Sequence, residues 1–155
     1  MSSVTRLVEG GERLMLDACD GKQTIAKAIN VFSWIDPDFK DWNLDVEGEA
    51  TPKAPVAVRE MIEDANFARM FTSVSPDVEK LVLTQSQIRN FVIKYRNWLR
   101  TDGYATFFLF KENDELFVAD VYLDSDGDLE VYVSRFGRAF VWRADRQRRL
   151  VVPTV

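Results

Sequence analysis

The side chains with the most chemical potential in this chain are its arginines. Arg89, Arg96 and Arg100 fall on one side of a helical stretch, with Lys94 nearby and Trp98 beside them. Six more, Arg135, Arg138, Arg143, Arg146, Arg148 and Arg149, crowd a segment holding one acid, Asp145. Guanidinium groups pair with phosphate oxygens in a fixed fork, and an indole can stack on a base. Arg89, Lys94, Arg96, Trp98, Arg100, Arg143, Arg146, Arg148 and Arg149 therefore form a candidate nucleic-acid surface. The same charges also suit a solvated helix face and an edge strand guarded against sheet-to-sheet aggregation. Tyr104, Tyr122, Tyr132 and Lys111 extend the idea to a histidine-free nuclease, because Arg, Lys and Tyr alone can position and protonate phosphate oxygens.

Carboxylates make the second group. Asp120, Asp124, Asp126, Asp128 and Glu130 place oxygens at alternate positions around Gly127. Asp124, Asp126, Asp128 and Glu130 could contribute to a weak divalent-cation site, since calcium takes six to eight oxygen ligands. The string lacks the spacing and the distal Glu of a full EF-hand loop, and Asp-Gly is also the usual hairpin turn. A second acidic run, Asp36 to Glu49, could act as an acid/base pair, a metal site or a mimic for a basic surface; solvated loop acids are its plain alternative.

Other chemistries are excluded by composition. The chain has no histidine, which removes Ser-His-Asp and Cys-His catalysis and His-ligated metals. Its one cysteine, Cys19, can form neither an intrachain disulfide nor a thiolate zinc cluster, and reads as a small apolar residue. Gly21-Lys22-Gln23-Thr24 carries fragments of a phosphate-binding loop without its spacing. No cofactor is expected. The opening residues lack the apolar stretch of a signal peptide, and no window is long and apolar enough to span a membrane. A cytoplasmic protein with no membrane partner is the expectation.

Charge is uneven along the 155 residues, which carry a net of −5. Residues 1–83 hold −6 and residues 84–155 hold +1. A bipolar surface favours docking with a charged partner or self-association.

These groups need elements to hold them. Length and composition suit a single α+β domain over residues 1–155. Residues 12–19 and the spacing of Ile25, Ala28, Ile29 and Phe32 predict two N-terminal helices, the second stopped at Asp36-Pro37. Residues 36–55 read as an acidic surface loop anchored by Trp42 and Leu44. Residues 56–74 fit either a strand then a helix, or one helix. A capped helix is expected from Gln85 to Arg100, opened by Thr84 or Ser86 and closed by Gly103. After Gly103 the period becomes two. Segments 104–110, 116–123, 129–136, 139–143 and 150–152 predict a four- to five-stranded antiparallel meander covered by the upstream helices.

The run Asn97-Trp98-Leu99-Arg100-Thr101-Asp102-Gly103-Tyr104-Ala105-Thr106-Phe107-Phe108-Leu109-Phe110, with Val151-Val152-Pro153, resembles a group of uncharacterised small bacterial proteins. The similarity covers about the last two thirds of the chain and implies no activity, ligand or catalytic residue. The expected function is a non-enzymatic intracellular protein-interaction module whose partner is a protein, or a second copy of the chain. The alternative is a nucleic-acid-binding or histidine-free nuclease-like protein.

Overall fold

In a computed structural model that describes residues 3–154, the chain is built on a sheet. Eight strands form one mixed sheet: β1 (Thr5–Leu7), β2 (Leu14–Leu16), β3 (Trp34–Ile35), β4 (Ala54–Met61), β5 (Ala105–Glu112), β6 (Glu115–Leu123), β7 (Leu129–Arg135) and β8 (Arg149–Pro153). The order is β1-β4-β8-β5-β6-β7-β3, with β2 also on β4. The helices are short: α1 (Asp38–Asp41), α2 (Phe67–Thr72) and α3 (Gln85–Lys94).

This corrects the expected fold of N-terminal helices on a four- to five-stranded antiparallel meander. The meander is real only across β5, β6 and β7, which pair antiparallel in sequence order. Its first turn, Asn113-Asp114, has both residues at positive φ (53° and 62°), the geometry of a primed hairpin turn. The chain then leaves the meander. Strand β8 crosses to the far side of β5, runs parallel to it, and pairs antiparallel with β4. At the other edge β3 lies parallel to β7. Segment 139–143 is no strand; Trp142 alone bridges Ala65.

The N-terminal helices are absent because other bonds satisfy that backbone. Residues 14–16 pair with β4. In the second segment Ile25, Ala28 and Phe32 are buried as a helical period demands, yet Ile29 is 75% exposed. The chain there makes consecutive turns, Ala28 N–H to Ile25 O and Val31 N–H to Ala28 O. Side chains at the start of α3 take the preceding amides: Gln85 Oε1 accepts from Ile25 N–H at 3.0 Å, and Ser86 Oγ from Gln23 N–H at 3.1 Å.

Residues 56–74 resolve as strand then helix, with Asn66 Oδ1 capping α2 by accepting from Arg69 N–H. Helix α3 has a reciprocal box: Thr84 Oγ1 accepts from Gln87 N–H, and Gln87 Oε1 accepts from Thr84 N–H. It ends at Lys94, earlier than its apolar stripe implies, because the Tyr95 hydroxyl is held by both the N–H and the carbonyl of Met15. Gly103 (φ 79°) therefore lies in the loop before β5 and closes no helix. Thr84→Ala should cost about 1 kcal/mol, read as a lower urea midpoint with unchanged slope.

Both faces of the sheet are apolar. The first, with Phe108, Phe110, Ala119, Val121 and Val131, is covered by α3 and by residues 25–44. There Leu44 is fully buried, and Trp42 packs against Phe117. The second face, with Ala105, Phe107, Leu109, Val118 and Leu150, is covered by α2 and Trp142 over β8 and β5. Over β6 and β7, Val118, Asp120 and Ser134 stay buried, and the cover thins only toward the β7–β3 edge. Tyr132 and Trp34 are 37% and 41% exposed there.

Candidate functional site

The β6–β7 part of the second face gathers the polar chemistry. Strand alternation puts Asp120 and Tyr122 of β6 on this side, with Tyr132 and Ser134 of β7. Asp120 sits opposite Phe107 on one neighbour and Tyr132 on the other. It is 2% exposed. Ser134 Oγ donates to its Oδ2 at 3.1 Å, Arg138 Nη1 donates to that same Oγ at 3.4 Å, and Asp120 Oδ1 has no partner. Burial pushes the Asp120 carboxyl up to about 8; the Ser134 hydrogen bond and the Arg138 charge oppose the rise, and Asp36 adds to it. Burial, with Asp120 nearby, likewise pushes the Tyr122 phenol up to about 12.

Aromatic rings surround this carboxyl. Trp34 and Tyr132 lie 4.6 Å apart between centroids, and Tyr132 and Tyr122 meet edge to face at 5.3 Å. Trp142 rests on Phe107 at 4.9 Å, with the guanidiniums of Arg148 at 5.0 Å and Arg138 at 5.9 Å from its ring. Beside them Tyr104 is ringed by Arg100, Arg146 and Arg148, at 5.2, 5.3 and 5.6 Å from its centroid. Backbone carbonyls hold two of these: Arg100 Nε donates to Arg146 O, and Arg148 Nη1 to Arg143 O. Among the described residues, neither Arg146 nor Arg148 forms an ion pair, and Arg100 reaches one carboxylate, Asp102, at 4.0 Å.

No protein-family model, curated protein or solved structure matches this chain.

The sequence-predicted residues divide. Arg100, Arg146, Arg148 and Tyr104 come together, with Tyr122 and Tyr132 on the adjoining strands. The others go elsewhere. Lys94 binds Asp17 at 2.7 Å and Met15 O. Arg96 donates to the Gly127 carbonyl. Arg89 lines a small cleft beside Val92 and Leu129. Arg143 pairs with Asp145, and Arg149 donates to Trp98 O. Lys111 is held by Glu79 at 3.0 Å. Trp98 is no free stacking platform: it lies on Gly10 and Gly11, where a Cβ at Gly11 would stand 3.0 Å from its ring.

The acidic turn is structural in its contacts. Asp124 Oδ1 accepts from the N–H groups of Asp126 and Asp128, both at 2.9 Å, fixing the hairpin between β6 and β7. Glu130 meets the Tyr132 hydroxyl at 3.5 Å. Among the described residues no three carboxylate, Cys or His side chains converge to hold a metal. Asp120, the fifth acid of that string, is turned inward. Also among the described residues, no helix is long and apolar enough to cross a membrane. Sequence reasoning missed Ser134, Trp34 and Trp142 as site residues. The available signal was Asp120 itself, an acid in the middle of an otherwise apolar strand.

Proposed function

We propose that this protein binds single-stranded nucleic acid along the partly exposed margin of the second face. The observation that supports it best is the convergence of Arg100, Arg146 and Arg148 on one tyrosine with a single carboxylate at 4.0 Å. Like charges held together repel unless an anion joins them, and a phosphate backbone supplies one. Trp34 and Tyr132, partly exposed on the same face, offer rings on which bases stack. A net charge of −5 argues against tight nonspecific binding to nucleic acid elsewhere on the surface.

The test is fluorescence anisotropy with labelled single-stranded RNA and DNA over a salt series. Wild type should bind at low salt, and Arg146→Glu/Arg148→Glu should weaken binding at least about tenfold while flattening the log–log salt slope by about 1.4. No wild-type binding at low salt, or an unchanged double variant, would sink the proposal.

A protein-interaction module is the second reading. Ile29 and Ile93, 75% and 53% exposed on the segments that cover the first face, favour it. Light scattering would separate the two, because association through that side should survive the arginine reversal.

A further inference from the structure

Gly137 to Val141 form an exposed loop between β7 and Trp142. Phe140 and Val141 at its tip are 49% and 52% exposed. The base of the loop is fixed. Arg138 N–H donates to Arg135 O on one side, and on the other Trp142 exchanges both backbone hydrogen bonds with Ala65. Phe140 meets the Trp142 indole edge to face at 4.9 Å, with the Arg138 guanidinium 4.9 Å from its ring. A loop held this way keeps two adjacent apolar side chains in water, where a partner can cover them.

A matching recess lies on the other face of the sheet. Its apolar groove of about 440 Å³ is lined by Ala26, Ile29, Phe32, Ile35, Pro37 and Phe39, with the exposed Ile29 on its wall. Phe32 and Phe39 belong to the first-face core, whereas the Trp142 beneath the loop belongs to the second. The loop is therefore out of reach of the groove in its own chain, and a second copy can supply it.

Charge matches the two surfaces. Asp36, Asp38 and Asp41 stand at the groove against Lys40, and among the described residues none of the three forms an ion pair. Asp36 spends its two oxygens on the N–H groups of Asp38 and Val133, which leaves Asp38 and Asp41 for a visiting cation. The loop brings Arg138, also in no ion pair among the described residues, and the exposed Arg143, 3.7 Å from Asp145. Opposite charges of this kind set the orientation of a small apolar contact. An anionic lipid surface would suit the arginines and leave the groove uncovered; a second copy covers both.

We infer that this chain associates head to tail, the Phe140–Val141 loop of one copy seated in the groove between Ile29 and Phe39 of the next. The inference rests on the interaction-module reading and names its partner; it uses neither Tyr104 nor the arginines around it. A contact between two different patches leaves one loop and one groove free at the ends, so it propagates unless it closes into a ring.

Sedimentation velocity on the full chain is the test. Small interfaces bind weakly, so the average mass of the wild type should reach at least about twice the monomer between about 10 µM and 1 mM. Phe140→Asp spoils the loop and keeps the groove; Ile29→Lys spoils the groove and keeps the loop. Both positions are exposed, so both variants should fold, and each alone should stay monomeric. Mixed in equal amounts they should give a 1:1 dimer and nothing larger, because one intact loop then meets one intact groove. A wild type that stays monomeric would overturn the inference and leave the interaction-module reading to a different partner. So would self-association that survives either substitution, which marks a contact through another patch, or a mixture that stays monomeric.

Discussion

Raising the pH from 5 to 9 should destabilise the folded protein by up to about 4 kcal/mol, and Asp120→Asn should remove most of that loss. The cause is one buried carboxyl. The folded chain holds its proton up to about pH 8, whereas an unfolded chain releases it near the ordinary value of 3.8. The folded state therefore carries the extra proton, and stability falls as pH rises between those two values. Each unit of separation is worth about 1.4 kcal/mol, which sets the ceiling over this range. The absence of histidine removes the side chain that would otherwise dominate the window. Asparagine keeps the shape and an acceptor for Ser134 but cannot ionise. Urea unfolding at pH 5, 7 and 9 provides the measurement. Wild-type stability rising with pH, or equal slopes in both proteins, would show that Asp120 is not buried as described.

Phe107→Ala should cost about 3–5 kcal/mol, a large share of the stability of a domain this size. Phe107 is 0% exposed and meets Phe67 edge to face at 5.0 Å and Trp142 at 4.9 Å. Removing the ring leaves a cavity between β5 and α2 that neighbouring strands are too constrained to collapse. It also takes away the seat of Trp142, against which Arg138 and Arg148 rest. Chemical denaturation should give the loss directly. A cost under about 1 kcal/mol would contradict the packing of the second face. Tyr132→Ala, half-open to solvent two strands away, should cost far less and serves as the control.

How much of this could be read from the chain depends on element length. Strands β5, β6 and β7 run seven to nine residues with turn residues between them, long enough to be read: β5 as an apolar run buried on both faces and β7 by its alternation. The α3 start was equally legible, because Thr84 and Gln87 carry their own signature. Strands β1, β2 and β3 have two or three residues, too few to show any period. Their pairing is decided by tertiary neighbours. The Ile25–Phe32 pattern misled for a related reason: buried anchors three and four apart occur in successive turns as well as in a helix. The site was legible as residue types and not as a grouping. Arg100 and Arg146 lie 46 positions apart and meet through a backbone carbonyl. Nothing in composition distinguishes them from Lys94 or Arg143, which neighbouring acids engage.

The placement of β8 bears on how the molecule is made. Among the described residues it is the one strand joining β1, β2 and β4 to β5, β6, β7 and β3. During synthesis residues 149–153 leave the ribosome after every segment they join. Until they emerge, β4 and β5 each lack the neighbour that pairs with their inner edge. A nascent chain stalled before residue 149 would thus be a natural client for chaperones, and the last strand would act as the latch that makes folding all-or-none.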